Sequence, residues 1–358
     1  MNALVGCVQR TAIRGRWCVS RTLRFLGLWL ALAAAAHAQP AATYDDKPLA
    51  HWIAQLSAEK IEDRWQATYA LGQLGPQAAA AVEPLIALLD RMPRDDEYVR
   101  GGAAWALGRI GPKAAAAVPV LMETIKSQGH LSVRRNSAAA LGGVGAAAKP
   151  AVAALEAALQ DKDATVRVNA AVALWQIDRH AKAIPALIEM LRQGSESAPY
   201  EAAVVLGRLG AAKTGTGSER SEVPVPVFAE TVVPALVEAL RHADADVRRA
   251  AARSLAAIGP PAEAALKEVV ASPDAETSRG AVEAFGWMGE RALPQLIAAL
   301  KKDAKSEAAR VAAVRALGRL GSAAKTAESA LVDAASNDPS PAVRAAAGKA
   351  LGKVRGAK

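Results

Sequence analysis

The stretch Tyr98–Pro112, YVRGGAAWALGRIGP, is repeated in outline along most of the chain. Its Leu107 can be aligned with an equivalent leucine or phenylalanine in eight other copies, which gives nine in all. The aligned residues are Leu71, Leu107, Leu141, Leu174, Leu206, Leu255, Phe285, Leu317 and Leu351. Successive copies are 30 to 36 residues apart, except for one interval of 49. A period of this size indicates stacked supersecondary units rather than one large globular core.

Each copy is predicted to form two short helices. The first often opens at a proline, which suits the first helical turn because no N–H group is needed there. The second is predicted to begin at a recurrent arginine such as Arg100 and to end at a glycine such as Gly111. Four residues before that arginine position, seven copies have an Asp or Ser that we interpret as a helix cap. These residues are Asp96, Asp163, Ser195, Asp244, Asp274, Ser306 and Ser340.

The glycines of the quoted stretch have two possible interpretations. Glycines beside arginines can bind phosphate, but such sites need N–H groups at the start of a helix. Gly108 and Gly111 fall at the end of the predicted second helix, where the helix dipole is negative. We therefore predict that Gly108 allows close helix packing and that Gly111 is a left-handed cap.

The recurrent pattern D-x-x-V/x-R-x-x-A-A-x-A-L-G-x-L/I-G resembles HEAT repeats, most closely the short HEAT-like repeats named after phycobilisome lyases. The resemblance implies an all-α, right-handed α-solenoid of about nine two-helix repeats over residues 49–358, with the second helices lining the concave face. The long interval contains a segment rich in Gly, Ser, Thr and Pro at about residues 211–230, which we interpret as a loop insertion.

The first 38 residues have the pattern of a signal peptide. Five arginines and no acidic residue precede an apolar run, Phe25–Ala36, and the sequence AHA before Gln39 fits a cleavage site. Residues 1–38 are thus predicted to be a signal peptide and 39–48 a linker, with the mature chain exported to the periplasm or beyond. An uncleaved anchor is the alternative, although a run of 12 apolar residues is short for a membrane span. Both cysteines, Cys7 and Cys18, belong to the predicted signal.

The mature chain shows no pattern typical of a catalytic, metal or cofactor site, and none is predicted. His51, His130, His180 and His242 form no compact ligand pair. The resemblance leaves open an enzyme or enzyme subunit of the same fold, similar to deoxyhypusine hydroxylases or phycobilin lyases. Hydroxylases of this fold use His-Glu pairs for iron, and the sequence contains no such pair. Nucleic-acid binding is disfavoured because removing five arginines lowers the formal net charge from +9 to +4.

The recurrent arginines can be read as a phosphate-binding ladder or as structural residues. The resemblance implies the second, because in HEAT-like repeats this arginine pairs with aspartates in the turns. The residues concerned are Arg64, Arg100, Arg134, Arg167, Arg248, Arg310 and Arg344.

One face of each second helix is left over once its core positions are assigned. Advancing 100° per residue from the arginine, positions −1, +3, +6, +7 and +10 form an apolar stripe, and positions +1, +2, +5 and +9 lie opposite. We predict that this opposite face binds another protein, for which acidic segments would be suitable, against the alternative of a merely solvated surface. Helix packing does not explain the pair Trp105 and Arg109. The sequence does not predict the oligomeric state. The candidate residues are Trp65, Tyr69, Trp105, Arg109, Arg135, Arg208, Arg253, Trp287, Arg315 and Arg319.

Overall fold

The computed structural model describes residues 42–91, 97–126, 129–195, 197–211, 228–301 and 306–356. The predicted signal peptide and nearly all of the predicted loop insertion lie outside these ranges. The described chain is an all-α solenoid, as expected, with one short β-hairpin at its start.

Eighteen α-helices in the described residues form nine pairs, each pair being one repeat. The first helices of the pairs are α1 Leu49–Gln55, α3 Val82–Arg91, α5 Val118–Lys126, α7 Val152–Ala158, α9 Ala183–Gln193, α11 Val233–Glu238, α13 Pro260–Val269, α15 Leu293–Ala298 and α17 Glu328–Asn337. The second helices are α2 Ile61–Leu74, α4 Glu97–Ile110, α6 Leu131–Val144, α8 Ala164–Asp178, α10 Ala198–Ala211, α12 Ala245–Ile258, α14 Ala275–Met288, α16 Glu307–Leu320 and α18 Pro341–Val354. Consecutive second helices contact one another along the stack.

The second helices begin three residues earlier than predicted. Asp163 accepts a hydrogen bond from the N–H of Val166, and α8 starts directly after it. Asp244, Asp274, Ser306 and Ser340 cap their helices in the same way. These five predicted caps are confirmed, but the first turn lies between the cap and the arginine; the predicted cap Asp96 lies outside the described residues. Ser195 is an exception, since α10 starts only at Ala198.

Glycine ends most of the second helices, at a positive φ angle. Gly111 has a φ of 75°, as a left-handed cap requires. At the equivalent Gly75 and Gly321, however, ψ is −130° and −133°, so these residues lie outside the left-handed helical region, where ψ is positive. This φ and ψ combination is available almost only to glycine. After this glycine the chain changes direction and continues as a 3₁₀ segment, such as Gly111–Ala117, which leads to the first helix of the next repeat.

The predicted apolar stripe is the core. In α4, Val99, Ala103, Ala106, Leu107 and Ile110 are all fully buried. Equivalent residues of the other repeats join them in one hydrophobic cluster that runs through the stack. Many of these residues are alanines, which lets the helices approach closely.

The recurrent arginines are structural, and their main partners differ from those expected. Arg64, Arg167, Arg248 and Arg344 each donate through Nη1 to two backbone carbonyls of the preceding turn. The expected aspartate is the partner in two other repeats: Arg134 binds Asp161, and Arg310 binds Asp338, each through Nε and Nη2. In both pairs the aspartate belongs to the next repeat. These side chains hold the turns in place and are not available as a phosphate-binding ladder.

Residues 39–48 were predicted to be a linker, but their described part contains a β-hairpin. Strand β1, Thr43–Tyr44, pairs antiparallel with β2, Lys47–Pro48. Asp45 and Asp46 between them have φ values of 51° and 57°, as tight two-residue hairpin turns require. The hairpin covers the buried Trp52, whose Nε1 donates to the carbonyl of Tyr44.

One described segment, Leu131–Ala158, is long and apolar enough by length and composition to cross a membrane. It consists of α6, the 3₁₀ segment Gly145–Ala151 and α7. Half of its most apolar window is buried inside the solenoid. Core helices of folded domains satisfy the same criterion.

Candidate docking face on the second helices

The exposed side of the second helices is narrower than the sequence indicates. Side chains at positions +5 and +9, such as Tyr69 and Arg109, face solvent. Position +2 is wholly or partly covered in every described repeat except the first, and Asn136 at this position donates a hydrogen bond to the carbonyl of Gly101. Position +1 varies: it is buried at Gly101 and exposed at Trp65, Tyr200 and Arg249. The covered positions lie at the two edges of the 100–200° sector, where neighbouring helices pack. We call the exposed positions +5 and +9 of all repeats, together with Trp65, the second-helix face.

Three parallel aromatic rings lie at the N-terminal end of this face. Trp65 stacks on Tyr69 with ring centroids 6.0 Å apart, and Tyr69 stacks on Trp105 at 5.6 Å. Gln73 donates a hydrogen bond to the Tyr69 hydroxyl. We call Trp65, Tyr69 and Trp105 the aromatic stack. The predicted contact between Tyr69 and Trp105 in successive repeats is confirmed.

Trp105 is partly a packing residue, contrary to the interpretation that packing leaves it unexplained. It is only partly exposed, and its ring fills the space that a Cβ atom on Gly72 would occupy. The glycine therefore creates the slot into which the indole fits. Arg109, one turn further on, is exposed, as expected.

Arg135 lies on the same side of the solenoid, but its guanidinium is already bound. It donates from Nε and Nη2 to the two carboxylate oxygens of Asp163, at 2.9 Å and 2.6 Å. These hydrogen bonds, against the effect of burial, hold the pKa of the Asp163 carboxyl below its usual value. Because Asp163 also caps α8, Arg135 joins two repeats. It is better explained as a structural residue than as part of a docking site.

Trp287, in the C-terminal half, lies between two arginines from the neighbouring repeats. The guanidinium carbon of Arg253 is 4.5 Å from an indole ring centroid of Trp287, and that of Arg319 is 5.5 Å away. Cations at this distance are attracted to the ring's π electrons. We call these three residues, from α12, α14 and α16, the Arg–Trp–Arg sandwich. Trp287 is nevertheless 47% exposed.

Two adjoining cavities open on this part of the face. One, of about 650 Å³, lies between α14 and α16 and is lined by Trp287, Arg315 and Arg319; the other, of about 620 Å³, lies between α10 and α12 and is lined by Arg208 and Arg253. Arg249 lines both. We call the two cavities together the basic groove.

The arginines of the basic groove fall into two classes. Arg249 pairs with Asp246, and Arg279 pairs with Glu276 and Glu283. The hydrogen bond from Arg279 is the main cause that lowers the pKa of Glu276. In contrast, no carboxylate of the described residues lies within ion-pair distance of Arg208, Arg253, Arg315 or Arg319. These four guanidiniums are available to a ligand.

Sequence reasoning named the residues of the sandwich but missed their mutual contact. Trp287 and Arg319 share position +9 in successive repeats, and Arg253 has position +5 in the repeat before. These positions could have been used to predict that the three side chains lie close together. The cap formed by His130, whose Nδ1 accepts from the N–H of Ser132, was missed as well, because histidine is not a common cap.

His130 and His180 each lie near one glutamate. Their Nε2 atoms are 3.2 Å from Glu97 and Glu156 respectively. Across the described ranges, no group of three or more His, Cys, Asp or Glu side chains is arranged to hold a metal ion.

Solved structures similar to this one include other helical solenoids. A structure of yeast importin-β (Kap95p) is 14% identical over 86% of this chain and 45% of its own, with a TM-score of 0.51. An importin-β structure determined in ammonium sulfate is 18% identical over 86% and 45%, with a TM-score of 0.48. An engineered protein is 22% identical over 86% and 88%, with a TM-score of 0.39. The chain thus spans less than half the length of the importin-β chains that it matches.

No curated protein sequence gave a significant match. A family model described as HEAT repeats matches residues 49–142, 118–207, 233–309 and 293–358, which together make up most of the chain. The matched ranges coincide with the nine helix pairs and leave out the interval between α10 and α11. The chain belongs to the HEAT-repeat family.

Proposed function

We propose that this protein is an exported scaffold that docks a partner protein along the second-helix face. The observation that supports this most is the set of large aromatic side chains on that face. Trp65, Tyr69 and Trp287 are 50%, 39% and 47% exposed, although folded chains usually bury such residues.

The composition of the face also suits protein binding. Tyrosine, tryptophan and arginine are the residue types that most often supply binding energy at protein interfaces. Here they are held by stacking and cation–π contacts, so little side-chain freedom would be lost on binding. They lie on α2 and α4 and again on α10, α12, α14 and α16. Neighbouring second helices are roughly 8–10 Å apart, so each of these two groups makes a surface for an extended or helical partner segment.

Peptide selection on the full chain tests the docking proposal. Peptides of 12 residues selected from a random displayed library should lose affinity about tenfold or more when Trp65 and Tyr69, or Arg253 and Arg319, are replaced by alanine. Val332→Ala is the matched control, since Val332 is 40% exposed but lies on the first helix α17 and not on a second helix, and it should leave affinity within about twofold. Selected peptides that bind all of these variants equally would refute docking on this face.

Export of the chain can be tested separately from docking. The full chain made in a Gram-negative bacterium should be recovered from the periplasm with Gln39 as its first residue, because the AHA sequence ends at Ala38. N-terminal sequencing and intact mass measure this directly. An unprocessed chain in the membrane fraction would support the alternative of a retained anchor.

The spacing of the repeats supports one finer assignment. Intervals of 30 to 36 residues are short for HEAT repeats, as in the type named after phycobilisome lyases. We include this type in the proposal for the fold only, and no lyase activity is inferred from it.

A further inference from the structure

We infer that a cavity in repeat seven binds a guanidinium group, such as an arginine side chain of another molecule, where other repeats use an arginine of their own. The cavity has a volume of about 530 Å³ and lies between α13, α15 and the first turn of α14. None of the described residues that line it belongs to the second-helix face. The site is therefore separate from the proposed docking surface and does not depend on it.

Ser278 occupies the position at which seven other repeats have the recurrent arginine. In four of them the arginine donates through Nη1 to the carbonyls five and six residues before it. The shorter serine donates instead to the carbonyl of Val270, at 2.6 Å. The equivalent carbonyls in repeat seven, of Ser272 and Pro273, accept no hydrogen bond from the described part of the chain. Repeat seven thus has the acceptors of the arginine site without the arginine.

The corresponding cavity of repeat four shows where the missing side chain would lie. It is lined by Arg167 and Pro185, at the positions that Ser278 and Pro294 have in repeat seven. In repeat seven, Ser272 and Ser278 both line the cavity. A side chain that enters from outside therefore has access to the place between them, which the guanidinium fills in repeat four.

Gln295, on α15, adds a further acceptor to the cavity wall. Its Nε2 donates to Oε1 of Glu263 at 3.0 Å, which assigns the two ends of the amide. Its Oε1 is buried and has no hydrogen-bond partner among the described residues, although buried polar atoms are usually paired. Together with the two carbonyls, this oxygen favours a ligand that only donates. A guanidinium has five N–H donors and no acceptor.

The apolar part of the cavity suits the methylene stem of an arginine. Val270, Ala298 and Ala299 line it. Arginine buries its methylene groups along apolar surfaces while its charged end reaches polar partners. Its planar guanidinium can also bind two carbonyls at once, as Arg248 does in repeat six, whereas a lysine ammonium is a compact point charge. An arginine side chain therefore fits this cavity better than a lysine side chain.

Two lysines line the cavity and affect how strongly it binds a cation. Lys267 is paired with Glu263, whose Oε1 lies 2.9 Å from its Nζ. Lys301 has no carboxylate of the described residues within ion-pair distance, so its charge opposes a guanidinium. Replacing Lys301 with glutamine should therefore strengthen the binding of a cation and weaken that of an anion. This substitution distinguishes the two kinds of ligand.

Thermal unfolding of the full chain with small probes tests the inference. N-Butylguanidinium chloride at about 20 mM should raise the Tm by about 2 °C or more, and the shift should saturate, because a ligand that binds the folded state stabilises it. Butylammonium chloride at the same concentration should give less than about half of that shift.

Variants of the protein provide the matched controls. In S278R the new arginine should bond to the carbonyls of Ser272 and Pro273, so the Tm without probe should not fall and the butylguanidinium shift should drop below about 0.5 °C. S278A leaves the cavity open and should keep the shift. K301Q should lower the apparent Kd for butylguanidinium about twofold.

Three results would overturn the inference. The first is an equal shift with butylguanidinium and butylammonium, and the second is a shift that S278R retains or a Tm that S278R lowers. The third is stabilisation by pentanoate that K301Q abolishes, which would assign the cavity to an anion with an apolar stem. Peptides selected on the second-helix face should bind S278R as they bind wild type, so failure of this inference leaves the proposed docking function intact.

Discussion

Replacing Asp338 with alanine is expected to lower the free energy of unfolding of the C-terminal repeats by about 3–5 kcal/mol. The Asp338 carboxylate, whose side chain is 1% exposed, accepts two hydrogen bonds from Arg310, whose side chain is 7% exposed. The same carboxylate accepts a hydrogen bond from the N–H of Ser340. The backbone carbonyl of Asp338 accepts a further hydrogen bond from Arg344. Removing the carboxylate leaves a buried guanidinium without its counter-charge and also loosens the turn before α18.

Urea unfolding, with hydrogen exchange of α16 and α18, measures this loss. The control is Glu238→Ala, which breaks the ion pair with Arg192, where both side chains are about half exposed. Solvent-exposed pairs of this kind contribute about 0–1 kcal/mol. Equal losses in the two variants would show that burial does not strengthen the Asp338 pair.

The same pair predicts sensitivity to acid. Burial raises the pKa of Asp338, but the hydrogen bond from Arg310, the N–H of Ser340 and the nearby arginine charges outweigh it, and the pKa lies below its usual value. The contribution of a carboxylate with a lowered pKa is present above the unfolded pKa of about 3.9 and is lost as pH falls below that value. Wild type should therefore lose more stability than the Asp338→Ala variant on acidification below about pH 4.

Replacing Gly108 with alanine is expected to destabilise the solenoid by about 1–3 kcal/mol, although alanine is the better helix former. A Cβ atom at Gly108 would lie 2.7 Å from the Cα of Ala140 on the next second helix. Because a backbone atom cannot move aside as a side chain can, α4 and α6 must separate. Position +8 is the same close approach in several repeats, including Gly142 against Ala173 and Gly318 against Ala350.

Gly352→Ala provides the control with the opposite sign. Gly352 occupies position +8 of the last repeat, and a Cβ atom there would meet nothing within 4 Å. Alanine should therefore stabilise α18 by up to about 1 kcal/mol through helix propensity. Thermal unfolding of the two variants side by side measures the difference. A similar effect of both substitutions would show that close packing is not the role of Gly108.

The fold was predictable from the sequence because its signals are local. A cap such as Asp163 acts within one helical turn, and the stripe from Val99 to Ile110 follows from the period of a single helix. Because the same pattern occurs in nine repeats, signals that are weak in one repeat support one another. The error of three residues in the helix starts came from treating Arg100 and its equivalents as first residues, whereas a cap bonds to N–H groups two or three residues after it.

The candidate site was only partly predictable, because its residues meet between repeats. Residue types and the helical period were enough to predict that positions +5 and +9 are exposed and that Tyr69 contacts Trp105, but the same reasoning also placed position +2 on the exposed side, where it is mostly covered. They could not show that Arg135 is bound to Asp163, since that contact depends on how far one helix is displaced along the next. They also could not show that Gly72 leaves space for the ring of Trp105.

Local pattern therefore determines the repeat, the caps and the buried stripe of this protein, since each depends on neighbours within a turn or two. Packing between repeats determines which arginines are free and which are bound, and it places Trp287 between Arg253 and Arg319. The physical reason is that helix separation, rotation and displacement are set by side-chain contacts across the interface, such as Gly108 against Ala140. A period read along one chain holds no direct information about those three quantities.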